Sequence, residues 1–234
     1  MSCRKFNFAD NEIYHIYNRG VDKRVVFRNK TDLARFVQCI LEFNLVDSVG
    51  GISRSSLLKN QQLRGKASQL KKGERLVTIL NFCLNPNHYH LTLRQETERG
   101  VEKFMQRLGT GYTMYFNHET TRSGSLFQGK FKARHVENNE YLLHLSSYVN
   151  LNDRVHNYPL RGKASQWKSW SSLSEYVGGE PGDCQKRFGK ICDPGFILEQ
   201  FDGPKDYRRF INESLKLSRE KKLEKKEREA LWLE

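Results

Sequence analysis

The chain is expected to fold as an α+β domain, an antiparallel sheet with helices packed on it, and three observations predict this. Short alternating stretches recur at Glu12–Gly20, Arg75–Asn85, His88–Gln95 and Ser125–Val136, rich in β-branched and aromatic residues. Longer stretches with apolar residues three and four apart lie between them, at Lys30–Val46 and Glu98–His118, and another follows at Asn139–Asn152. The resulting order, β-α-β-β-α-β and then α, is that of the ferredoxin-like, split βαβ arrangement, with two helices on one face of the sheet. The last helix follows a completed sheet, so it is expected across the opposite face.

Each element has its own signal. In EIYHIYNRG, Ile13, His15 and Tyr17 face one way and Tyr14 and Ile16 the other, before a turn at Asn18-Arg19-Gly20. The first helix carries Leu33, Phe36, Val37, Ile40 and Leu41 on one stripe, with Thr31 as its expected N-cap. Two strands then form a hairpin that turns at Asn85-Pro86-Asn87. The second helix presents Val101, Phe104, Met105, Leu108, Tyr112 and Tyr115, and a strand over SLFQGKFKARHV completes the sheet. The third helix is capped by Asn138 or Asn139 and buries Leu142, Leu145 and Val149.

Composition bounds the rest. With 234 residues, 37% hydrophobic and 29% charged, the chain suits one domain with polar extensions. We expect a principal domain over 8–157, with 47–74 as an exposed basic insertion, a wrap on the core over 158–215, and a charged helical tail over 216–234. The insertion holds two adjacent glycines and six Lys or Arg. In the wrap, Trp167, Trp170, Phe196 and Phe201 are expected to grip the core. A formal charge of +13 favours a polyanionic partner. No apolar run approaches the roughly 20 residues needed to span a bilayer, and the first residues do not resemble a signal peptide. Five cysteines without a CxxC pair argue against disulfides or structural zinc. A cytoplasmic protein without membrane partners is expected.

The densest chemistry is His88-Tyr89-His90. On a strand, His88 and His90 project together and Tyr89 turns away. Two such imidazoles can ligate a divalent ion if a third group approaches; they equally suit a polar strand face. In the third helix His144, Tyr148 and Asn152 are four apart and share a face. A tyrosine followed one turn later by an amide can offer a nucleophile beside a metal ligand. A phenol with a pKa near 10 attacks a phosphate poorly unless a cation stabilises the developing charge. Tyr148 as a half-buried aromatic and Asn152 as a helix C-cap are the structural alternatives.

PNHYHL, SYVNLN and GSLFQGKFKARHV together resemble the HUH single-tyrosine transposases, and within them the REP-associated tyrosine transposases. YHIYNRG, WSSLSEYVGG and PGFILEQF…DYRRFINESL extend the resemblance over most of residues 8–215. It implies a metal-dependent strand transferase acting on single-stranded DNA with hairpin or palindromic elements, through a 5′-phosphotyrosine link. His88 and His90 match the family's histidine ligands, Tyr148 its nucleophile and Asn152 its third ligand, with Mg²⁺ or Mn²⁺ as the implied cofactor. Asn152-Asp153 departs from the usual Asn-Pro. Tyr141 is a rival nucleophile and His144 a rival acid or base; each also suits the rim or surface.

Arg122, Lys130, Lys132 and Arg134 interleave with Phe127 and Phe131, a pattern suited to single-stranded DNA, and Arg19 and Lys23 are further phosphate contacts. A non-catalytic RNA- or DNA-binding sheet is the alternative function. A monomer and a homodimer both fit this reading. Finally, LRGKASQ occurs at both Leu63–Gln69 and Leu160–Gln166. Its flanking triplets can be encoded as reverse complements, so each copy can derive from a DNA hairpin in the gene, and both are expected in exposed loops.

Overall fold

The computed structural model describes residues 7–46, 74–155 and 169–231. Strand β1 (Ile13–Arg19) is followed by helix α1 (Lys30–Phe43), the hairpin β2 (Val77–Asn85) and β3 (His88–Gln95), helix α2 (Gly100–Glu119) and strand β4 (Lys132–His135). Helix α3 (Asn139–Asn150) comes next, then a single turn α4 (Asn152–Val155). The sheet order is β4-β1-β3-β2-β5, with every neighbouring pair antiparallel. The first four strands have the split βαβ order. Strand β5 (Trp170–Ser171) adds an unforeseen fifth beside β2; a two-residue strand leaves no periodic signal.

Both faces of the sheet are covered, and the alternation of the strands decides which side chain goes where. Tyr14, Ile16, Tyr89, Leu91 and Leu93 join Leu33, Phe36 and Ile40 of α1 and Val101, Phe104, Leu108 and Tyr112 of α2 in one core. Ile13, Leu80 and Cys83 pack on the other face with Leu142, Leu145 and Val149 of α3. The third helix therefore crosses the face opposite α1 and α2. β2 is buried along its whole length, and a bulge between Ile79 and Asn81 resets its register.

Helices α5 (Leu173–Val177), α6 (Asp183–Phe188), α7 (Gly195–Leu198) and α8 (Pro204–Leu231) complete the described chain. The first turns of α8 dock on α3: Tyr207 and Ile211 are buried, and the Tyr207 hydroxyl donates to Ser146 Oγ at 3.2 Å and accepts from Asn150 Nδ2 at 2.9 Å. Trp170 is buried and Phe201 packs on Tyr207, but Phe196 is 43% exposed beneath the Arg94 guanidinium and grips nothing.

Local boundaries differ from the sequence expectations for identifiable reasons. Helix α1 is capped by Asn29, whose side chain accepts from the Asp32 N–H at 2.9 Å, and Thr31 lies inside its first turn. The fourth strand is only four residues long. Phe127 is drawn into the core, Gly129 takes a φ of 70°, and the stretch before Phe131 becomes a loop, joined to the end of β1 by the Gln128 N–H to the Arg19 carbonyl at 2.8 Å and just beyond it by an isolated bridge, Gly20 to Phe127. The third helix stops at Asn150, with Leu151 as its C-cap. Asn152 thus opens a new turn instead of ending the helix. Cys39, Cys83, Cys184 and Cys192 are buried free thiols. Trp167, both LRGKASQ copies and all but Glu74 of the basic insertion lie outside the described residues.

Candidate active site

Strand pairing assembles the site before any side chain is considered. In the β1–β3 register Tyr17 opposes His90 and Arg19 opposes His88; in the β2–β3 register Asn85 opposes His88. His15, Tyr17, His88, His90 and Asn85 thus reach the face that α3 covers. Tyr89 points the other way, into the core against Phe36 and Phe127.

The tautomer of a neutral His88 follows from its neighbours. The Lys23 carbonyl, which can only accept, takes a hydrogen bond from Asn87 Nδ2 at 3.3 Å. Asn87 Oδ1 is thereby turned to His88 Nδ1, 2.7 Å away, and must accept from it. In the neutral ring His88 Nε2 is left unprotonated. It accepts from Asn85 Nδ2 at 3.1 Å, and the same amide donates to Asn152 Oδ1 at 2.8 Å. His88 Nε2 and Asn152 Oδ1 stand 3.1 Å apart. With the proton on Nδ1, this contact is two lone pairs facing each other.

That geometry fits a cation. Adjacent donors on an octahedral Mg²⁺, at about 2.0–2.1 Å from the ion, stand about 2.9 Å apart. Asn152 is fully buried, and its Nδ2 meets no acceptor at hydrogen-bonding geometry among the described residues. Asn85 satisfies the Asn152 oxygen, but the buried Nδ2 lacks the compensation that burial ordinarily demands. Among the described residues no cluster of three or more His, Cys, Asp or Glu is spaced for a metal ion; a donor set at this point would be two imidazoles and an amide. The residues present fit Mg²⁺ or Mn²⁺ held by His88, His90 and Asn152.

The phenol ring of Tyr148 lies edge-on to His90, centroids 5.4 Å apart, and to His15 at 6.1 Å. Tyr148 and the histidine strand of one chain therefore meet at His90. Burial pushes the Tyr148 phenol above its ordinary pKa, and the nearby Asn152 amide acts in the opposite direction. His15 is held down to about 4, by burial first and the Arg134 charge second. The break at Leu151 places Asn152 under His88 without the proline seen in the related motif. The Asp153 N–H, which a proline would lack, bonds to the Cys83 thiol.

Two cavities flank this centre and share Tyr17 and His90 as walls. One, of about 420 Å³, is bordered by His88 together with Arg19, Lys23 and Lys132. The other, of about 660 Å³, is bordered by Tyr148, Tyr141, His144 and Arg134, with Leu217 of α8 closing its far side. Arg134 stacks on the Tyr141 ring at 5.3 Å. His144 is exposed beside Phe210. Arg122 and Lys130 are not brought to either cavity: Arg122 is bound to Asn117 and the Ser125 carbonyl, and Lys130 borders a separate cleft along α2. Phe127 is a core residue and Phe131 stacks on Phe8.

His15, Asn85 and Asn87 belong to this site and were not singled out from the sequence. His15 had a usable signal, since it shares strand parity with Tyr17. Asn85 and Asn87 were hidden by reading Asn-Pro-Asn as a turn alone.

Residues 53–152, which carry the hairpin, Tyr148 and Asn152, match the family model described as Transposase IS200 like. The match covers under half of the chain and omits β1 and therefore His15. Among solved structures, that of a REP-associated tyrosine transposase bound to a REP hairpin is similar over 82% of this chain and 100% of its own, with 14% identity and a TM-score of 0.49. No curated protein matches the chain significantly.

Proposed function

We propose that the protein is a metal-dependent transposase of the REP-associated type, which cuts and rejoins single-stranded hairpin DNA through Tyr148. The observation that carries this reading is the pair of lone pairs at His88 Nε2 and Asn152 Oδ1, 3.1 Å apart, with the Tyr148 ring against His90. In the proposed reaction Tyr148 Oη forms a bond to a DNA phosphorus and the bond to the 3′ oxygen breaks. The phenol loses its proton and the departing 3′ oxygen gains one. The 5′-phosphotyrosine conserves the phosphodiester, so a DNA hydroxyl can reverse the step without ATP.

A divalent cation held by His88, His90 and Asn152 would supply charge stabilisation at the phosphate. The chain's own residues do the remainder. Arg19, Lys23 and Lys132 hold backbone phosphates on the histidine side, and Arg134 does so on the tyrosine side. The raised phenol pKa makes such assistance necessary, because burial without a counter-charge makes Tyr148 a weaker nucleophile. Tyr148 and the histidines come from one chain, so the reading requires no partner subunit.

The test is incubation with end-labelled, hairpin-bearing single-stranded DNA and Mn²⁺, followed by denaturing electrophoresis. Wild type should yield a protein–DNA adduct that survives denaturant. Tyr148→Phe should bind the same DNA and yield none. An adduct that persists in Tyr148→Phe and disappears in Tyr141→Phe would move the nucleophile. Binding without any adduct in the wild type would leave a nucleic-acid-binding sheet.

A further inference from the structure

We propose that His15 is a positioning residue for this centre: it accepts the Nδ1 proton of His90 and so keeps His90 Nε2 unprotonated for a divalent cation. The inference rests on the cation reading of His88, His90 and Asn152. A neutral imidazole has one proton for two nitrogens, and only the nitrogen without it can ligate. For His88 the choice is fixed by Asn87, itself oriented by the Lys23 carbonyl. For His90 the nearby partner is another imidazole. His90 Nδ1 meets His15 Nε2 at 2.9 Å, with the two rings 19° from parallel.

That contact can hold its proton in two ways. With the proton on His90 Nδ1, Nε2 of His90 carries a lone pair, as Nε2 of His88 does. With the proton on His15 Nε2, His90 accepts through Nδ1, its own proton sits on Nε2, and the ligand is lost. Only the first arrangement gives both histidines of the strand the same ligating nitrogen.

The position of His15 is set by backbone pairing. β1 places it opposite Thr92, one diagonal step from the Tyr17–His90 pair, and it is buried between the Tyr17 and Tyr148 rings. A ring so enclosed cannot swing away, and its Nε2 is held at His90 Nδ1. Partners that orient a ligating histidine in this way typically change metal affinity about 10–100-fold when removed.

Two measurements test the inference. In metal-free wild type, nitrogen-15 imidazole spectra should show His90 protonated on Nδ1 and bare on Nε2. Calorimetry with MnCl₂ in the absence of DNA should show His15→Phe weakened about 10–100-fold. His15→Gln, whose carbonyl can accept the same proton, should recover most of that loss. A His90 ring protonated on Nε2 would overturn the inference, and so would wild-type Mn²⁺ affinity in His15→Phe. Wild type that binds no Mn²⁺ yet keeps His90 protonated on Nδ1 would overturn the cation reading and leave the positioning contact standing. The spectrum is read on the unmodified protein, so the decision does not depend on a variant folding.

Discussion

His88 Nε2 and the Asn152 side-chain oxygen face each other at 3.1 Å across 64 residues of sequence, and neither has a proton to give the other. Asn85 donates to both. The contact is mildly repulsive alone and becomes favourable around a cation. Asn152→Asp should therefore be less stable than wild type in chelator and regain stability when Mn²⁺ is added. Asn152→Ala should lose Mn²⁺ binding, and it should lose about 1–3 kcal/mol of stability because the buried Asn85 amide loses an acceptor. Urea titration with and without Mn²⁺ separates the two effects.

Among the basic residues, position should decide their worth to DNA. Lys132→Ala and Lys23→Ala border the histidine cavity and should each weaken single-stranded DNA binding, lowering the slope of log K against log salt by about 0.7 per lost phosphate contact. Arg122→Ala should leave that slope unchanged, since its guanidinium is engaged with Asn117 and Ser125. Fluorescence anisotropy over a salt series reads both.

Glu175 links stability to pH. Its carboxylate accepts the N–H groups of Ile191 and Cys192, yet burial outweighs those bonds and raises its pKa to about 7. A carboxyl raised in the folded state binds its proton more tightly there than in the unfolded chain, so stability falls as pH rises from about 4.5 to about 7. Glu175→Gln should remove that decline, with an advantage over wild type of about 3 kcal/mol above pH 7 that vanishes below pH 4.5, from about 1.4 kcal/mol for each pKa unit. Denaturant midpoints across this range are the measurement.

Two glycines of α2 should respond with opposite signs. A Cβ on Gly100 would lie 2.2 Å from the Leu76 carbonyl oxygen, a backbone atom that cannot turn aside. Gly100→Ala should cost about 1–3 kcal/mol by overpacking. A Cβ on Gly109 meets nothing within 4 Å, so Gly109→Ala should stabilise by about 0.5–1 kcal/mol through helix propensity. Thermal melts of the two variants give the comparison.

The sequence by itself determined the order of elements from β1 to α3, the face on which His88, Tyr89 and His90 fall, and the pairing of His88 with His90, because these follow from periods of two and 3.6 residues within short windows. It also carried the signal of Tyr148, since a tyrosine four residues before an amide on an apolar helix is a local pattern. Tertiary structure decided what no local period contains. Cross-strand register brought His15 to His90 and Asn85 to His88, the break at Leu151 turned Asn152 toward the sheet, and the burial of Phe127 shortened the last strand of the split βαβ unit. Register and burial are set by how distant segments pack against one another, and hydrogen-bond donors and acceptors acquire their directions only when that packing is complete.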